Sequence, residues 1–165
     1  MDHPPSDDPV IQDLLHKDID VPLPPILRFA RRTYTMAIRD ALREHGFTDI
    51  PKNGMYIIGG IARMGSRHGD VVRELALTKQ AASQLVDVLV EREYLVRTTD
   101  ENDRRRVHLE LTDRGREAAK VSRSVAEEIE DKLLHEVGIE NFMITKRTLA
   151  VLIDINDRRY GLPRG

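Results

Sequence analysis

The chain has 165 residues, 40% of them hydrophobic and 33% charged, with a formal net charge of −2. That length suits one domain of about 150 residues with one real core. It has no cysteine, which excludes disulfides, thiolate zinc sites, catalytic thiols and cysteine-based redox sensing. No apolar run approaches the roughly 20 residues that span a bilayer, and the N-terminus has no apolar signal core. The sequence therefore predicts a cytoplasmic protein with no membrane partner.

Residues 1–25 hold six aspartates against the single Lys17, a charge of −5, which leaves +3 on residues 26–165. Six of the eight prolines fall in the same stretch. Proline fixes φ and lacks a donor, so residues 1–25 read as an acidic, largely extended arm, with a short helical turn over Ile11–Lys17. From Ile26 a 3.6-residue period takes over. Leu27, Ala30, Tyr34, Ala37, Ile38, Ala41, Leu42 and His45 share one face, and Gly46 stands where a C-cap is expected. A second helix opens near Pro51 and is apolar nearly all round through Met55–Ala62, which predicts burial on every side.

A short helix over Asp70–Leu77 follows, with Thr78 as N-cap of a longer helix, Lys79–Glu93. On that helix Gln80, Ser83, Gln84 and Asp87 fall on Lys79's side, while Ala81, Ala82, Leu85, Val86, Val88 and Leu89 fall opposite; only Val90 breaks the division. Two amides, a hydroxyl and an amine in two turns can donate to and accept from base edges and phosphates. An ordinary amphipathic helix with a solvated face has the same pattern. The preceding short helix favours the first reading: apolar residues at 71, 72 and 75, the small Ala76 at the turn, and Leu77 beneath it make a helix-turn-helix.

The period then drops to 2. Tyr94–Thr99 and Val107–Thr112 read as two strands joined by the turn Asp100–Arg106, which carries Arg104, Arg105 and Arg106 in succession. As a DNA-binding wing, those arginines approach the minor groove, with Asp103 holding Arg105 from the same side of the chain. As a solvated turn, its acids and arginines neutralise one another. Thr112 and Asp113 start a long helix, apolar at 118, 121, 125, 129, 133 and 137, that ends at Gly138. A last helix carries Phe142, Leu149, Leu152, Ile153 and Asn156 on one stripe. Terminal helices this apolar have little core of their own, which predicts a helical dimer interface.

The run Asp100-x-x-Asp103-Arg104-Arg105-x-Val107-x-Leu109-x-Leu111-Thr112-x-x-Gly115, downstream of Leu75-Ala76-Leu77-Thr78-Lys79-x-x-x-Ser83-x-Leu85-Val86-Asp87-x-Leu89, resembles the signature of MarR-type transcriptional regulators. The resemblance spans roughly residues 26–160. It implies a homodimeric winged-helix protein that binds pseudo-palindromic operators and is often released by a small ligand. It places Thr78, Lys79, Gln80, Ser83 and Gln84 at the recognition helix, with Arg105 as the wing-tip arginine, Asp103 as its partner, and Arg104 and Arg106 beside them. It also makes Tyr34, Tyr56, Arg63 and His68 candidates for a small aromatic or other organic effector, although tyrosines in a core and a loop histidine fit the same positions.

The expected fold is mainly α with a small β-hairpin: a winged helix-turn-helix lobe (51–112) between a dimerisation helix (26–50) and C-terminal dimerisation helices (113–160), preceded by the arm (1–25). The expected function is a double-stranded-DNA-binding regulator, a repressor, with no cofactor, no metal and no catalysis. The alternative is a winged-helix protein-interaction module without specific DNA binding.

Overall fold

Proline does not keep the first long helix from starting early. In the computed structural model, which describes residues 21–64, 79–99 and 107–160 together with Ile11, helix α1 spans Leu23–Glu44 and begins three residues before the expected Ile26. Pro24 and Pro25 occupy its first turn, where backbone N–H groups have no intrahelical acceptor, so neither removes a hydrogen bond. The remaining elements are α2 (Gly54–Met64), α3 (Lys79–Glu91), β1 (Leu95–Thr99), β2 (Val107–Leu111) and α4 (Asp113–Tyr160). The chain divides into two units, one ending at Met36 and the other beginning at Ala37. The expected helix over Asp70–Leu77, its Ala76 turn and the turn Asp100–Arg106 lie outside the described residues, as do the arm residues other than Ile11 and the span 21–25.

In the first unit, Thr35 Oγ1 donates to Arg31 O (2.9 Å), Arg32 Nε donates to Met36 Sδ (3.3 Å), and the Arg28 guanidinium lies 5.1 Å from the Phe29 ring centre. All are contacts between neighbours on one helix.

In the second unit, α1 ends in a Schellman motif. Gly46, at φ 84°, donates to Arg43 O (3.0 Å), and Phe47 N donates to Leu42 O (2.8 Å). His45, expected on the apolar face, is exposed beyond the helix end and donates Nδ1–H to Ala41 O (2.8 Å). Helix α2 opens at Gly54 rather than near Pro51. Gly54 N donates to Pro51 O (2.8 Å) across a turn in which Asn53 takes φ 67°, a conformation asparagine tolerates. The helix is one-sided, against the expectation of burial all round: Ile57, Ile58 and Ile61 are buried, but Tyr56 is 45% exposed. The helical period sends adjacent apolar residues to different faces, and only one face meets the core.

Helix α3 also closes with a Schellman motif. Glu93 N donates to Val90 O (3.0 Å) and Tyr94 N to Leu89 O (2.9 Å), with Glu93 at φ 59°. The motif takes Tyr94 out of the strand, so β1 starts one residue later than the alternation suggests. Strands β1 and β2 pair antiparallel with Leu95 opposite Leu111 and Arg97 opposite Leu109. Leu95 and Leu109 are buried, while Thr98 and Glu110 on the other face share a hydrogen bond (2.9 Å). Thr112 caps α4 rather than ending β2: its Oγ1 accepts from Gly115 N (3.1 Å). Leu42, the three α2 isoleucines, Val86, Leu89, Tyr94, Leu95, Leu109 and Ala118 form one core.

Helix α4 breaks at Gly138 (φ 75°, ψ 159°), the expected stop. The Lys146–Glu130 ion pair (3.4 Å) joins residues eight positions on either side of the break, so its two segments fold back toward each other. Phe142 and Leu149 are half-buried, whereas Leu152 and Ile153 from the same expected stripe are exposed, as are Ile139, Met143, Ile144, Val151 and Ile155. Among the described residues, no helix is long and apolar enough to cross a membrane.

Candidate nucleic-acid interface

The two faces of α3 separate as its sequence dictates. Ala82, Val86 and Leu89 are buried, Ala81, Leu85 and Val88 are half-buried, and Gln80, Ser83, Gln84 and Asp87 are exposed. Val90, the exception in the pattern, is half-buried against the core. The apolar side fixes the helix, and the opposite side presents two amides and a hydroxyl within about one turn. Each amide offers two donors and an acceptor, the set that can pair bidentately with an adenine edge. Lys79 opens the helix. Thr78 and the turn residues Asp103, Arg104, Arg105 and Arg106 lie outside the described residues.

The hairpin is tied to this helix by a charge pair absent from the sequence reading. Arg97 on β1 donates through Nη2 to Asp87 Oδ1 on α3. Asp87 was expected only as part of the polar arc. Its partner stands ten residues away on another element, and local periodicity carries no sign of such a pair.

A second polar cluster joins the far end of α3 to α4. Arg114, in the first turn of α4, donates to Asp49 Oδ1 (2.9 Å) and to Arg92 O (2.6 Å), and its guanidinium stacks 4.4 Å from the Tyr94 ring centre. Tyr94 Oη–H donates to the same Asp49 oxygen (2.5 Å), and Arg92 Nη1 donates to Asp49 O. The Tyr94 hydrogen bond and the Arg114 charge hold the Asp49 carboxyl below its ordinary range, outweighing partial desolvation. Burial, then the hydrogen bond to Asp49, pushes the Tyr94 hydroxyl well above its ordinary value. Gly115 completes the junction. A Cβ there would stand 2.1 Å from Tyr94 O, so only glycine allows the two backbones to meet.

The described effector candidates come from two helices. Tyr34 is half-buried on α1 in the first unit; His68 lies outside the described residues. Tyr56 and Arg63 are both exposed on α2, seven residues and nearly two turns apart, hence on one stripe. A shallow groove of about 410 Å³ between α2, β2 and α4 is lined by Ile61, Ala62, Glu110, Leu111, Arg116 and Ala119, and includes neither Tyr56 nor Arg63. Among the described residues, no group of three or more His, Asp or Glu side chains could hold a metal ion.

Residues 48–106 match the family model described as MarR family. The fold is similar to that of the transcriptional regulator Tm0710 from Thermotoga maritima, at 26% identity over 86% of this chain and 99% of that one, with a TM-score of 0.54. It is also similar to FabT of Streptococcus pneumoniae in complex with DNA (21% identity, 83% and 99% covered, TM-score 0.66). NadR in complex with 4-hydroxyphenylacetate is a third such structure (23%, 82% and 95%, TM-score 0.64). No curated protein matches the sequence. Helix α3 lies inside the span that matches the MarR family model and the hairpin lies inside or beside it, in a chain that has the mainly helical, hairpin-bearing fold of the transcriptional regulator Tm0710.

Proposed function

We propose that the chain is a DNA-binding transcriptional repressor that acts as a homodimer on a pseudo-palindromic operator. The observation that carries the reading is the exposed Gln80–Ser83–Gln84 face of α3, held rigid from behind by buried Ala82, Val86 and Leu89. A recognition helix needs that combination: readout groups turned outward and an apolar face seated on a core. FabT, of the same fold, is a DNA complex. The arginines 104–106 then act as the wing, and Lys79 and Thr78 face phosphate at the helix start.

The dimer is supported by the apolar residues left exposed on α4 beyond Gly138, among them Ile139, Val151 and Ile153 at 60–64%. A solvated monomer gains nothing by exposing them, and a second copy covers them symmetrically. A small aromatic or organic effector releases the operator by binding better to another lobe spacing. Tyr56 and Arg63, on one stripe of α2, offer it a ring and a guanidinium. NadR, of the same fold, holds 4-hydroxyphenylacetate.

The test is selection of duplexes from a random pool by the full chain, then anisotropy titration of the winner at several salt concentrations. The reading predicts a log–log salt slope of about −0.9 per neutralised phosphate. It also predicts a loss of about 1–3 kcal/mol for Arg105→Ala or Gln84→Ala. Binding that is absent or indifferent to salt favours the protein-interaction module instead.

A further inference from the structure

We propose that Asp49 and Arg114 are positioning residues that set the angle of α3 against α4, and thereby the separation of the two recognition helices in the dimer. This rests on the DNA-binding reading above. One guanidinium makes three contacts with two separate pieces of chain: the Asp49 carboxylate between α1 and α2, and the Arg92 carbonyl and Tyr94 ring in the link from α3 to β1. Tyr94 Oη–H and the Arg92 side chain return to Asp49, so every member is held from two directions.

Burial does not explain the cluster. The Arg114 and Asp49 side chains are 36% and 38% exposed, and a pair so placed contributes little stability. Its contacts are instead directional: charge-assisted hydrogen bonds and a guanidinium lying over a ring. The core beside it is apolar packing, which resists compression more than it resists rotation. The clasp also stands where rotation matters most. From Arg92 to Gln80 is twelve residues, about 18 Å of helix. A rotation of about 10° at Arg92 therefore moves Gln80 by about 3 Å, comparable to the 3.4 Å rise of one base pair. Arg114 belongs to α4, the helix whose far segment bears the proposed dimer face. The clasp thus links the reading head to the element that fixes its distance from the partner's.

The absence of cysteine allows the test to be made on the full chain. Spin labels on Ser83→Cys and Glu128→Cys, in chains diluted with unlabelled protein, report the α3–α4 distance without any DNA. The original sequence should give one narrow distance distribution. Arg114→Gln and Asp49→Asn should broaden it or shift it by about 3 Å, with helix content unchanged. Tyr94→Phe, which keeps the ring and removes only the hydroxyl, covers the case in which the first two fail to fold, and should broaden it by less. On the selected duplex with base pairs added or removed between half-sites, the unlabelled variants should lose the preference for one spacing. Unchanged distances in folded variants overturn the inference, as does an unchanged spacing preference. Failure of the full chain to bind any duplex overturns the DNA-binding reading instead, while the distances still decide whether the clasp sets the angle.

Discussion

Glu93 holds a conformation that suits glycine. Its φ of 59° closes the Schellman motif of α3, and its side chain is exposed. The left-handed region costs an L-residue about 1–2 kcal/mol, and glycine in the unfolded chain returns roughly half of that. Glu93→Gly should therefore raise stability by about 0.5–1 kcal/mol in a urea melt, with DNA affinity unchanged. Gly115 gives the opposite case. Gly115→Ala drives a methyl into the Tyr94 carbonyl and should cost about 1–3 kcal/mol in the same melt. Among the described residues, Asp49 and Tyr94 each make stability depend on pH. The lowered Asp49 pKa means that its contribution is complete above the ordinary value of 3.8 and is lost as pH falls through the depressed folded value. The raised Tyr94 pKa means that its contribution is complete below 10.0 and is lost as pH rises toward the folded value. Denaturant melts across pH should show both limbs, and Asp49→Asn should flatten the acid one. Little of this was legible in the sequence. Asp49 stands 45 residues from Tyr94 and 65 from Arg114, and no local pattern joins residues that far apart.

The elements were easier to read where a period governs them. The two faces of α3 follow from the 3.6-residue repeat, because an apolar stripe that wide has one way to meet a core. The break at Gly138 follows from a glycine at the end of such a repeat. What failed was the choice of ends and the neighbours of a short apolar run. The sequence put Pro24 and Pro25 in the extended arm, although proline is at home in a first helical turn. It started α2 at Pro51, although the left-handed Asn53 delays the helix to Gly54. It read α2 as buried on all sides, although Tyr56 is turned away from the core. Among the elements, the Gly138 break is open to direct challenge. With φ 75° and nothing within 4 Å of an added Cβ, Gly138→Ala is strained by backbone alone. It should cost about 1–2 kcal/mol in thermal or urea melts. An unchanged midpoint would mean that the fold-back tolerates another backbone path.

A dimeric repressor needs the apolar surface on α4 covered by a second copy while α3 faces outward. Ile153→Glu or Val151→Glu places a charge in that surface and should raise the dimer dissociation constant at least tenfold, about 1.4 kcal/mol, by sedimentation equilibrium. Helix content should not change. The same variants should weaken operator binding, because two half-sites then bind as separate events. Hydroxyl-radical footprinting of the full chain on its selected duplex tests this arrangement most directly. Two recognition helices related by a dimer axis should protect two inverted half-sites about 10–10.5 base pairs apart, and Gln84→Ala should weaken both equally. A single protected half-site, or protection that survives alanine at Gln80, Ser83 and Gln84 together, would contradict the assignment of α3 as the reading helix.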